Sequence, residues 1–131
     1  MIFYSQSAGE FRNVDSSVLE SGCYAGRDDY KNNPFDQAVH DLGPLPQGQY
    51  TMGPLHVIPH LGPAMPLTPA PGNAMFGRYG FFIHLDNPAH PGESSDGCIV
   101  CADDPATPGM KKLQRIESLR SSGEDQLTVT A

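Results

Sequence analysis

The opening IFYSQSAGEFRNV alternates large apolar and polar residues around Ser7-Ala8-Gly9, which predicts a strand, a glycine-containing turn and a second strand. The same period closes the chain in DQLTVTA, read as a strand. Strand signals recur at Gln49–Met52 and Leu55–Ile58, each bounded by Gly or Pro, and Phe81, Phe82, Ile83 and Leu85 form the near-continuous apolar run of a buried strand. A different period appears once: Met110, Leu113, Ile116 and Leu119 fall on one face of a helix with Thr107 as N-cap, Pro108 at its first position and Gly123 as its stop. Between these elements, residues 21–37 are rich in Gly, Asn, Asp and Pro, which predicts a long loop anchored by Tyr24, Tyr30 and Phe35. Residues 59–73 are so dense in Pro and Gly that they predict a second loop crossing one face. No repeat, low-complexity tail or linker divides the chain, so residues 1–131 read as a single, mostly β domain with one short C-terminal helix.

Composition supports a folded domain: 38% of residues are hydrophobic and only 18% charged, and the 14 Gly and 13 Pro favour turns and short strands. A formal charge of −7 repels phosphate backbones and anionic lipid surfaces, which excludes nucleic acid as a natural partner. No apolar run reaches the ~20 residues that span a bilayer, so no membrane insertion is expected. The opening MIFYSQSAGEF lacks the basic start and apolar core of a secretory signal, so synthesis in the cytoplasm without a signal peptide is expected.

The chemistry concentrates in FFIHLDNPAHPGESSDGCIVC, residues 81–101. The three cysteines, Cys23, Cys98 and Cys101, cannot all pair, so at least one thiol is free. A free thiol is only a few per cent ionised at neutral pH and needs a base to act as a nucleophile. His84, at the end of the buried strand, is the candidate base for Cys98. Gly97 permits a tight turn in front of the thiol, and the amides of Gly97 and Cys98 are candidate oxyanion donors. Two other readings compete. His84, His90, Cys98 and Cys101 are all ligand types that zinc accepts, and Cys98-x-x-Cys101 has redox spacing, although Ile99-Val100 reads as strand rather than as the start of a helix. Cys101 is otherwise a core thiol and Cys23 a loop residue.

The pattern Ile83-His84 followed by Ser95-Asp96-Gly97-Cys98-Ile99 resembles the catalytic motif of YkuD-type L,D-transpeptidases. YAGRDDYKNNP, LGPLPQGQYTMGP, LTP, MFGRYGFFIH and SSDGCIV, from about Tyr24 to Val100, resemble blocks of the type VI secretion L,D-transpeptidase effectors. The resemblance implies a β-sandwich or barrel-like L,D-transpeptidase fold and a toxin secreted into a competitor's periplasm. There it would trim tetrapeptide stems of peptidoglycan or exchange their terminal D-Ala, with no cofactor. It implies the type VI secretion machinery and a cognate immunity protein as partners. It also assigns Cys98 as nucleophile, His84 as base with its second ring nitrogen held by a backbone carbonyl near Leu85 or on the adjacent strand, and Ser95 and Gly97 as shapers of the turn. Arg78 is the candidate for binding a stem carboxylate through its planar fork, with Asp96, Tyr30 and Asn33 as further groove residues.

Leu85 stands where the wider family has glycine, Asp96 where it often has histidine, and Val100 where it often has arginine. Asp86, Glu93, Asp96, Asp103 and Asp104 crowd the thiol in sequence and would raise its pKa unless they face solvent, which is the expectation. An inert Cys98 in a cell-wall-binding module is the non-enzymatic reading.

Overall fold

The two alternating segments at the chain ends become neighbours. The computed structural model describes residues 1–131. Its elements in order are β1 (Ile2–Ser5), β2 (Glu10–Arg12), β3 (Val18–Glu20), β4 (Cys23–Ala25), β5 (Gly48–Met52), β6 (His56–Ile58), β7 (Gly62–Pro69), β8 (Phe81–Leu85), β9 (Ile99–Cys101), α1 (Gly109–Ser121) and β10 (Gln126–Thr130). β1 and β2 form the expected hairpin, and β10 inserts beside β1 in parallel, pairing Ile2 with Leu127 and Tyr4 with Val129. Because side chains alternate across a strand, those four residues share one face and are almost fully buried.

All ten strands belong to one sheet, in the order β3-β2-β1-β10-β5-β7-β8-β9-β4 with β6 paired to β7. The ladder is open, since β3 and β4 end it without pairing to each other. Yet only Ser21 and Gly22 separate those two end strands in the chain. The sheet therefore curls until its ends approach, and the Cys23 amide donates to the Gly9 carbonyl at 3.0 Å in the β1–β2 turn. Gly9 has φ +63, and a Cβ there would collide with the Cys23 carbonyl, so this turn requires glycine. Of the expected sandwich or barrel-like forms, the domain is not two stacked sheets but one coiled, open mixed sheet around a core of Tyr4, Phe11, Tyr50, Met65, Ile83 and Ile99, closed by Leu113 and Ile116 of α1.

Two predicted loops are partly strand. β7 lies inside residues 59–73 and pairs over its middle with β8, from Ala64 opposite His84 to Leu67 opposite Phe81. On its other side β6 pairs with residues 62–64 and β5 with residues 67–69. Pro66, which cannot donate to a ladder, falls where one partner strand gives way to the other. β4 likewise forms within residues 21–37, so Cys23 is a strand residue. Of the three proposed anchors there, Tyr24 is buried, Tyr30 is half-buried in a 3-10 turn and Phe35 is 92% exposed.

The helix forms on its predicted apolar face, with Leu113 and Ile116 fully buried, but starts at Gly109 with Pro108 at the cap. Thr107 does not cap it; the Asp103 carboxylate accepts from the Gly109 amide at 2.6 Å. Lys112 is also buried on this helix, its ammonium donating to the Ala102 carbonyl at 2.7 Å and pairing with Asp104 at 2.8 Å.

Candidate active site

β8 and β9 run parallel and adjacent, with Ile83 beside Ile99 and His84 beside Val100. Ile83 and Ile99 point into the core, so the pleat turns His84 and Val100 to the opposite face. Cys98, two residues before Val100, follows the same alternation, which makes it the diagonal neighbour of His84. Parallel pairing thus brings together two residues that the sequence separates by a long polar loop.

His84 is 3% exposed, and its Nδ1 lies 2.8 Å from the Leu85 carbonyl oxygen. That oxygen can only accept, so Nδ1 carries the proton and the neutral ring keeps a lone pair on Nε2. The expected backbone carbonyl near Leu85 is this one. Burial holds the imidazole below its ordinary range, against the opposing Leu85 hydrogen bond and the Asp86 and Asp96 charges, which favours the neutral form.

The Cys98 thiol opens on a cleft of about 440 Å³ lined by His40, Asp41, Arg78, Tyr79, Phe81 and Asp96 together with Gly77 and Gly80. Burial pushes its pKa up to about 11; the Phe82 amide, its own amide and the Arg78 charge pull it down, and Asp96 pushes it up. No hydrogen bond joins the thiol to His84, and its recorded acceptor is the Gly80 carbonyl at 3.9 Å. Both shifts favour a neutral thiol and a neutral imidazole over an ion pair.

Ser95 holds the turn before Cys98. Its fully buried hydroxyl donates to the Cys98 carbonyl at 2.6 Å and accepts from the amides of Gly26 at 2.8 Å and Gly97 at 3.0 Å. The Gly97 amide is thus spent and is not an oxyanion donor, contrary to expectation. Gly97 itself has φ +135, and a Cβ would stand 2.5 Å from Arg78 Nη2 and 2.8 Å from Phe81 Cε1. Glycine here lets the guanidinium reach the turn. Ser95→Ala is expected to cost about 2–3 kcal/mol, because it strands two buried amides and a carbonyl at once; a shift in urea midpoint measures it, and a near-neutral result would mean that water replaces the hydroxyl.

Arg78 differs most from its expected role. Nη1 donates to the carbonyls of Gln37 and Pro44 at 2.6 and 2.7 Å, and Nη2 to those of Gly43 and Asp96 at 2.9 and 3.1 Å. All four terminal N–H groups are used, so no fork remains for a substrate carboxylate. Instead the buried cation, 5.2 Å over the Phe81 ring, ties residues 37–44 to the turn that carries Cys98.

The crowded carboxylates do not all face solvent. Asp86 is clamped inside its loop by Tyr24 Oη at 2.7 Å, Ser94 Oγ at 2.9 Å and the amides of Asn87 and Gly92, both at 3.0 Å. Burial raises its pKa, but these donors outweigh it and hold the carboxyl below its ordinary value. Asp96 is exposed on the cleft rim, paired with Arg27 at 3.2 Å, and Asp104 pairs with Lys112. Arg27 and Lys112 thus offset two of these charges, while Asp96 still raises the Cys98 pKa. Tyr30 and Asn33 do not line the cleft; the Asn33 carboxamide caps a 3-10 turn by accepting from the Phe35 amide at 3.1 Å. His40, Asp41 and Tyr79, which do line it, had no sequence signal beyond proximity to Arg78 or to turns.

The geometry also bears on the competing readings. Across β9, Cys98 and Cys101 are three residues apart, so they point to opposite faces and their Cα atoms lie about 10 Å apart, beyond disulfide reach. His90 sits exposed on the loop, 3.7 Å from Glu93. The four zinc-type ligands therefore do not converge.

No curated protein and no solved structure matches the chain. A family model, the Tlde1 domain, matches residues 20–126, which takes in β4, the Arg78 clamp, His84 and Cys98 and most of the curled sheet. By that match the chain belongs to the Tlde1 domain family, the type VI secretion L,D-transpeptidase effectors.

Proposed function

We propose that this domain is a cysteine L,D-transpeptidase or L,D-carboxypeptidase that acts on tetrapeptide stems of peptidoglycan. The observation that carries the reading is the diagonal pairing of His84 on β8 with Cys98 just before β9: a cleft-facing Cys98 thiol beside a buried imidazole whose Nδ1 is held by the Leu85 carbonyl, so that Nε2 is free to accept a proton. Rotation of the Cys98 side chain away from the Gly80 carbonyl brings Sγ toward Nε2. His84 takes the thiol proton as sulfur attacks the carbonyl between the third stem residue and the terminal D-Ala. The oxyanion falls to the Cys98 amide, since the Gly97 amide is occupied. His84 then returns the proton to the departing D-Ala amine. Water resolves the thioester to a tripeptide, or a D-amino acid replaces D-Ala. Family membership supports this chemistry, action in a target cell's periplasm and a cognate immunity protein in the producing cell.

The test is mass spectrometry of a purified muropeptide tetrapeptide incubated with the protein, with and without D-methionine. Loss of D-Ala or its exchange for D-methionine is expected, and neither with His84→Ala. An unchanged tetrapeptide, with an active control enzyme in the same buffer, would sink the reading in favour of an inert binding module.

A further inference from the structure

The mechanism leaves two thiols unused. Cys23 of β4 and Cys101 of β9 are directly opposed in an antiparallel ladder, and both are free and buried, 6% and 1% exposed. Opposed antiparallel residues have Cα atoms about 4.5–5.5 Å apart, inside the window a disulfide accepts. The two side chains face each other across the ladder: Cys23 and burial hold the Cys101 thiol well above its ordinary pKa, while the Cys23 thiol donates to the Ser21 carbonyl at 3.7 Å. Around the pair stand Glu20, Lys112 and the Tyr4 hydroxyl, the last buried without a hydrogen-bond partner. Cys98 lies outside this cluster, on the other face of β9.

We propose that Cys23 and Cys101 are a dithiol pair that closes into a cross-strand disulfide under oxidising conditions, leaving Cys98 as the single free thiol. The bridge forms by exchange with a small-molecule or protein disulfide. The Cys23 thiolate attacks that disulfide, expels one thiol and becomes a mixed disulfide; Cys101 then attacks the Cys23 sulfur and expels the second. Two S–H bonds become one S–S bond, and the oxidant leaves as two thiols carrying the electron pair and both protons. β4 is an edge strand, so exchange begins at Cys23.

The position gives the bridge a use. β4 leads into Gly26, whose amide donates to Ser95 Oγ, and β9 begins directly after Cys98. A covalent tie between these strands pins both supports of the nucleophile turn. The bond follows from register and burial alone; its setting, transfer from a reducing cytoplasm to an oxidising periplasm, rests on the proposed delivery route.

The test uses the full chain, incubated folded with oxidised glutathione and, in parallel, refolded from urea in the same buffer, then alkylated and mapped by mass spectrometry. The expected result is loss of two of the three alkylatable thiols, a peptide linking Cys23 to Cys101, a Cys98 that still alkylates, and a higher urea midpoint than the reduced protein. Cys98→Ala should form the same bridge, and Cys101→Ser should form none. Three free thiols after refolding, a link that includes Cys98, or a bridged protein no more resistant to urea would each overturn the proposal. Because thiols and stability are read, these outcomes are independent of whether the tetrapeptide is cleaved.

Discussion

Replacing Cys98 with alanine abolishes D-Ala release and exchange on the expected reading, down to the uncatalysed background, while the fold persists. The Cys98 side chain is small and donates one weak hydrogen bond, to the Gly80 carbonyl at 3.9 Å, so its loss costs the fold little. The wild-type pH profile is the sharper test. Burial holds His84 below the ordinary imidazole range and pushes Cys98 up to about 11. Acid first protonates Nε2 and removes the base, so activity falls as pH drops through the depressed His84 value, below pH 6.5. On the alkaline side, direct alkylation of Cys98 needs thiolate and rises toward pH 11. Turnover, in which His84 takes the proton during attack, is expected to plateau between these limits. An alkylation rate already maximal at neutral pH would show a preformed thiolate and contradict the neutral pair.

Arg78→Ala is expected to cause the largest loss of stability among single changes at the site, about 3–5 kcal/mol. It removes four charge-assisted donors from the carbonyls of Gln37, Gly43, Pro44 and Asp96 and leaves a void over Phe81. Arg78→Lys keeps the charge but not the planar fork and should fall between. Urea unfolding measures both. A loss under about 1 kcal/mol for Arg78→Ala would mean that water reaches these carbonyls and that Arg78 is not the clamp. If Arg78 instead held a substrate carboxylate, either variant would raise KM with little change in stability, so the two roles separate in one experiment.

Several features were legible because they depend on near neighbours in the chain. The β1–β2 hairpin, β5, β10 and the apolar face of α1 follow from periods of two or 3.6 residues, which burial of one face enforces, and β8 from its near-continuous apolar run. Cys98 and His84 were readable as chemistry because a thiol needs a base and Gly97 marks the turn in front of it. β7 and β4 were not, because proline and glycine density measures local preference. β7 is a strand because β8 on one side and β6 then β5 on the other supply its partners, and β4 because the curl of the sheet brings it beside β9.

The sequence by itself determined a mostly β fold with one short C-terminal helix, and the family motif in which Ile83-His84 precedes Ser95-Asp96-Gly97-Cys98. Tertiary structure decided how those parts are used. Arg78 could be read as a substrate ligand until four backbone carbonyls from distant residues claimed its donors, and the Gly97 amide as an oxyanion donor until Ser95 took it. Cys98 and Cys101 could be read as a redox pair until the extended backbone of β9 set them on opposite faces and placed Cys23 opposite Cys101. Each of these outcomes depends on which groups meet across strands, and pairing between distant segments is the one property that residue type and spacing along a chain do not carry.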